Sequence, residues 1–189
     1  MWPIYPKKPG SCSGYELKEF SHRFREILDG HQENDRSKAF SFIFYNFHDE
    51  EFVKGLSDRG VFAELDRLTS HELSVFYFNS GKDSRCREFN EEFLGHLDLA
   101  GIRMPCVVFF RFRKDKGEKD IFDVKAIDVE KPAFIFAAAE LEKIFKSYIS
   151  NTLRIQTGDT KAASVKSSTR FVAAEVVNAL VKHATDPLG

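Results

Sequence analysis

The chain has little that would announce a chemistry. Its 189 residues hold only three cysteines, Cys12, Cys86 and Cys106. That odd number without tight spacing excludes a disulfide framework and a Cys-x-x-Cys pair, and it fits a reducing compartment. No apolar run approaches the about 20 residues that a membrane-spanning helix needs. The first ten residues carry no apolar core behind a basic start, so no signal peptide is expected. A formal net charge of −1 leaves no general field to attract nucleic acid or an anionic membrane. There is no phosphate-binding Gly-Lys loop, no dinucleotide glycine fingerprint and no Gly-x-Ser-x-Gly elbow. His22, His31, His71, His96 and His183 show no metal-ligand spacing with cysteines or acids. The expectation is a cytoplasmic protein without metal or cofactor.

What the chain does have is phenylalanine, 20 copies against 5 tyrosines and 1 tryptophan. Phe has no polar handle, so most of it must pack in a core or on a docking surface. Three of the six prolines fall within residues 1–12, which read as an irregular arm. Ser13-Gly-Tyr-Glu16 has the form of a capping box, opening a helix with Leu17, Phe20, Phe24, Ile27 and Leu28 on one stripe. Ala39 to Phe47 is short and aromatic-rich, as a buried strand is. Asp49, Glu50 and Glu51 then load a helix start with negative charge. That helix carries Phe52, Val53, Leu56, Phe62, Leu65 and Leu68, with a break expected at Arg59-Gly60.

Leu73 to Asn79 reads as the next strand. The helix after it carries Phe89, Phe93, Leu97 and Ala100 and stops at Gly101. Pro105 introduces a strand over Cys106 to Phe112. A charged hairpin loop over Lys114 to Lys119 returns the chain antiparallel through Ile121 to Ile127. Ala137 to Ile149 is a covering helix with Leu141, Ile144, Phe145 and Tyr148 facing in. Residues 151–168 have linker composition, and 169–184 return to helical period. The expected organisation is therefore an arm over 1–12, an α/β domain over 13–150, a linker over 151–168 and a C-terminal helix and tail over 169–189. Alternating β and α elements argue for parallel strands, closed by a β-β-α unit.

That order, with Gly101-Ile-Arg-Met-Pro105 ahead of the strand, resembles the thioredoxin-like family. The resemblance covers roughly Tyr15 to Ser150. It implies a three-layer α/β/α sandwich with a mixed, mainly parallel central sheet ending in a hairpin and helix, here with an appended C-terminal helix. It also implies that Pro105 is the cis-proline, with Met104 before it, beside a groove formed with Phe47, His48 and Asp49. The family's redox motif would fall at Phe47-His-Asp-Glu50, where no thiol is present. Disulfide exchange needs two sulfurs. The resemblance, with that departure, implies a non-catalytic protein-binding module.

The other reading is a single-cysteine thiol-dependent enzyme or redox sensor using Cys86 or Cys106. Cys86 lies near a helix start between Arg85 and Arg87, a setting that favours a thiolate. Cys106, inside an apolar strand, reads as core. His48-Asp49-Glu50 could serve as an acid/base cluster, but the acids are explained by helix capping. Arg111-Phe-Arg-Lys-Asp-Lys116 mixes basic and aromatic residues as single-strand nucleic-acid surfaces do. A solvated strand edge blunted by charge explains it more simply. The expected partner is a protein, with a second copy of the chain a candidate through residues 169–185; nucleic acid and membrane are not expected partners.

Overall fold

The computed structural model describes residues 2–5, 15–16, 19–20, 24, 26, 39–69, 73–80, 83–115, 118–130, 134–150 and 171–172. The central strands carry apolar residues on both of their faces, as strands covered on both sides do. On β3 (Ala39–Phe44), β4 (Leu73–Phe78) and β5 (Cys106–Asp115), alternate side chains enter two different cores. Phe40, Phe42, Phe44, Phe76, Phe78, Cys106, Val108 and Phe110 face one core. Ala39, Ile43, Leu73, Val75, Tyr77, Val107 and Phe109 face the other. The period-2 geometry of a strand produces this division.

Helices cover both faces. Phe20 and Phe24, in helical conformation, join Phe89, Phe93 and Leu94 of α3 (Asp83–His96) over the first core. The second core is closed by Phe52 and Leu56 of α1 (Glu50–Ser57), Leu65 of α2 (Arg59–Thr69), and Leu141, Ile144, Phe145 and Tyr148 of α4 (Phe134–Tyr148). The phenylalanine excess is concentrated in the first core. There Phe42 lies 4.6 Å from Phe93 and Phe78 stacks on Phe89 at 4.4 Å between ring centroids.

Among the described residues the sheet has seven strands, in the order β2-β1-β4-β3-β5-β6-β7. Here β1 is Trp2–Tyr5, β2 is Tyr15–Glu16, β6 is Glu118–Asp128 and β7 is Phe171–Val172. From β2 to β3 neighbours run parallel. From β3 to β7 they run antiparallel. The sheet is thus mixed, and it is not mainly parallel. The hairpin is longer than expected, with Lys114 paired to Lys119 and Asp115 to Glu118 in a segment that reads as loop by charge. Backbone pairing continues there because side-chain charge removes no ladder hydrogen bond.

Three further expectations are corrected. The irregular arm over 1–12 contains β1, which pairs with β4 from Trp2↔Phe76 to Ile4↔Phe78. Proline is tolerated because β2 covers β1 only at Ile4 and Tyr5, which leaves Pro3 on a local edge. Tyr15 and Glu16 form β2 instead of a first helical turn. The Glu19 carboxylate accepts the Glu16 N–H at 3.4 Å. In the expected C-terminal helix, Phe171 and Val172 are β7, paired to Ile121 and Asp120. Two successive β-formers beside an open strand are satisfied by the ladder. The rest of that segment and the 151–168 linker lie outside the described residues.

The α1–α2 break falls one residue before the expected pair. Asp58 leaves the helix at ψ 125°, and its Oδ1 accepts from the N–H groups of Gly60 (2.9 Å) and Val61 (3.1 Å). It is the N-cap of α2. α3 also ends earlier than Gly101. Asp98, at φ 57°, closes it with Leu99 N–H to Leu94 O at 2.8 Å and Asp98 N–H to Gly95 O at 3.1 Å. That is a Schellman closure with aspartate at the left-handed position. The Met104–Pro105 peptide bond is cis.

Candidate functional site

The parallel strands β3 and β4 end on the same side of the sheet, and the chain turns there into α1 and α3. In open α/β sheets such strand ends form ligand crevices. The loop after β3 is closed by a reciprocal pair. The Asp49 carboxylate accepts the Asn46 N–H at 2.8 Å, and the Asn46 carbonyl accepts the Asp49 N–H at 3.0 Å. Asp49 stands at the N-cap of α1 but makes no side-chain cap bond to that helix. The capping role expected for it is therefore not found, because its carboxylate is turned back onto the loop.

Beneath the loop, the Tyr45 carbonyl accepts two donors from α3. Asn90 Nδ2 donates at 2.8 Å and Cys86 Sγ at 3.5 Å. Asn90 Nδ2 also lies 3.3 Å from Met104 Sδ. The Tyr45 hydroxyl donates to the Phe78 carbonyl at 2.6 Å, tying β3 to β4. One buried asparagine thus holds together the end of β3, helix α3 and the segment leading into β5. Pairing of Phe44 with Cys106 brings that segment alongside.

Above this knot lies an open cleft of about 440 Å³, lined by Asn46, Phe47, His48, Asp49, Asp83, Arg87, Asn90, Glu91 and Met104. Phe47, His48, Asp49 and Met104, four of the five groove residues expected from sequence, meet there. Pro105 is buried next to Met104 and does not line the cleft. The His48 ring is exposed and packs edge-on to Phe47 at 5.7 Å. Sequence reasoning missed the α3 wall. Asp83, Arg87 and Glu91 sit at i, i+4, i+8 and read as a solvated stripe. The missed signal was Asn90, a lone amide between Phe89 and Phe93 on an otherwise apolar face.

Neither described cysteine reaches the cleft lining. Cys86 is 2% exposed. Burial first, then the charge of Asp83, pushes its thiol up to about 11, with Asp49 adding to the rise against a hydrogen bond from Asn90. The thiolate expected from Arg85 and Arg87 is not favoured, since Arg87 reaches out to Asp83 at 2.6 Å. Cys106 is fully buried in the first core, and burial with the nearby Asp128 charge pushes it up to about 12. Both cysteines are free. Cys12 lies outside the described residues.

Arg111 is also corrected. β5 lies between β3 and β6, so it is not an edge strand. Arg111 is 5% exposed, with its guanidinium 3.9 Å from Asp123, and it is no part of a solvated basic surface. Among the described residues, no group of three or more His, Cys, Asp or Glu side chains could hold a metal ion. No described helix is long and apolar enough to cross a membrane. Comparison of the chain with family models, with curated proteins and with solved structures finds no match in any of the three.

Proposed function

We propose that the chain is a thioredoxin-like module that binds another protein through the cleft beside Met104, without thiol chemistry. The observation that carries this reading is the arrangement of the five longer strands. They lie in the order β1-β4-β3-β5-β6, the first three parallel and the last two antiparallel. The cleft opens where the loop after β3 meets the lead-in to β5, the place of the family's redox centre. The residues there are Phe47, His48, Asp49 and Met104, and none supplies a nucleophilic sulfur. An aromatic ring, a thioether and a polar rim are what a recognition surface uses. Fold analogy alone never fixes function, so the reading rests on the cleft's composition together with the strand order.

The test uses the full chain with a photo-crosslinking residue at His48, and a control with the same residue at Lys143, exposed on α4. A defined partner captured from His48 but not from Lys143, and lost with Phe47→Ala or Met104→Ala, is the expected result. Identical capture from both positions overturns the reading. So does insulin-disulfide reduction that disappears with Cys86→Ser.

A further inference from the structure

We propose that the cleft selects a cationic side chain, lysine or arginine, on an extended segment of its protein partner. This inference rests on the protein-binding reading above and adds the chemistry of what is bound. The floor and the rim of the cleft differ in character. Phe47 and Met104 provide apolar lining, and two carboxylates join them, Asp49 from the loop after β3 and Glu91 from α3. Asp83 adds a third carboxylate. Among the described lining residues Arg87 is the one arginine or lysine, and it pairs with Asp83 at 2.6 Å. The charges of Glu88 and Glu91 act on it as well.

Among the described residues, the lining therefore holds three carboxylates against one guanidinium, besides His48. The negative charge also reaches beneath the cleft, to the buried Cys86 thiol, which does not line it. Both Asp83 and Asp49 act on the Cys86 thiol, from the α3 side and from the loop side, and both oppose its ionisation. A cleft whose lining carries an excess of one sign of charge favours a ligand group of the opposite sign. The volume, about 440 Å³, lies within the range of small-ligand clefts and admits a long side chain with its flanking backbone. The aliphatic stem of lysine or arginine would lie on Phe47 and Met104 with its head group among the carboxylates. Such division of a side chain between apolar and polar surroundings is its ordinary behaviour, and an aromatic face adds to the attraction. An acidic or purely apolar partner side chain would leave the Asp49 and Glu91 carboxylates without a counter-charge.

The experiment is selection of a displayed random peptide library on the full chain, followed by affinity measurement with synthetic copies of the selected peptides. Peptides whose binding is lost with Phe47→Ala or Met104→Ala are cleft binders. These are expected to be enriched in lysine or arginine at one position. Exchange of that residue for glutamate should weaken binding by about tenfold or more. Glu91→Gln, an exposed change that leaves the fold intact, should weaken it about threefold and reduce its salt dependence. Asp49→Asn retains an acceptor for the Asn46 N–H and should act in the same direction. Cleft-binding peptides without basic enrichment, or indifferent to Glu91→Gln and to lysine-to-glutamate exchange, overturn the cation preference and leave the protein-binding reading standing. Selected peptides that all ignore Phe47 and Met104 overturn that reading, and the cation preference with it.

Discussion

The Asn90 side chain donates to the Tyr45 carbonyl at 2.8 Å, across 45 residues of sequence. Both groups are buried, so neither can turn to water. A buried acceptor that loses its partner costs about 1–3 kcal/mol. The Cys86 thiol, at 3.5 Å from the same oxygen, is a weak donor and would compensate little.

Asn90→Leu is therefore expected to lower unfolding free energy by about 1–3 kcal/mol, measured by urea denaturation. Asn90→Asp should cost more, because a carboxylate would then face the Tyr45 carbonyl with no donor between them. A change of a few tenths of a kcal/mol for both variants would show that the knot is not what holds α3 to β3.

Much of the scaffold was legible in the chain because its signals are strong. Ala39–Phe44, Leu73–Phe78 and the apolar start of β5 are short apolar runs, and such runs become buried strands. β1 was not legible. Pro3 within it, with Pro6 and Pro9 just after, reads as a strand breaker, and a neighbour supplied from residue 73 onward makes it a strand. β7 is hidden for the same reason, since two residues carry no periodicity. The loop half of the cleft followed from a resemblance anchored at Pro105. The α3 half did not, because Asp83, Arg87 and Glu91 look in sequence like any solvated helix stripe. Tertiary placement beside Phe47 and Met104 makes them a wall.

Asp98 holds φ 57°, a conformation that costs an ordinary L-residue about 1–2 kcal/mol and glycine almost nothing. Because aspartate itself tolerates this region and unfolded glycine has greater freedom to lose, Asp98→Gly should stabilise the protein by no more than about 0.5 kcal/mol. Gly101 is the opposite case. Its φ of 84° is natural for glycine, and although nothing crowds a Cβ there, Gly101→Ala should cost about 1 kcal/mol. Thermal midpoints of the two variants moving in the same direction would contradict this account of how α3 ends.

The two described thiols should be slow to react while the protein is folded. In a Cys12→Ser background, with a thiol pKa pushed up to about 11 at Cys86 and about 12 at Cys106, little thiolate exists at pH 8. Against an unfolded thiol near about 8.5, labelling by an aromatic disulfide should be slower by on the order of 10²-fold at Cys86 from thiolate content alone. Stability carries the same sign. A folded pKa above the unfolded one means that the contribution is complete below pH 8.5 and is lost as pH rises toward 11 and beyond. Buried Tyr45, Tyr77 and Tyr148, all raised chiefly by burial, continue that loss at higher pH. Rapid labelling of Cys86 at pH 7 in the folded protein would restore it as a reactive thiol.

Asp123 looks like the partner of a buried arginine, but its place is set by the backbone. It sits at φ 55° where the β5–β6 register shifts between Phe109 and Arg111, as a bulge requires. Its carboxylate is half-buried and 3.9 Å from the Arg111 guanidinium. Burial raises the Asp123 pKa, and the opposing pull of Arg111 and Lys125 does not cancel that rise. A raised carboxyl pKa means that ionisation of Asp123 works against the folded state. Its contribution is complete below the unfolded pKa near about 3.9 and is lost as pH rises through the folded value. Asp123→Asn keeps a residue type that tolerates the left-handed region and removes the buried charge. Its unfolding free energy at pH 7 is expected to stay within about 0.5 kcal/mol of the parent. Asp123→Ala keeps neither the tolerance nor the polar group, and should cost about 1–2 kcal/mol. Urea titrations of both variants decide the matter. If Asp123→Asn is as damaging as Asp123→Ala, the ion pair and not the bulge is what the position serves.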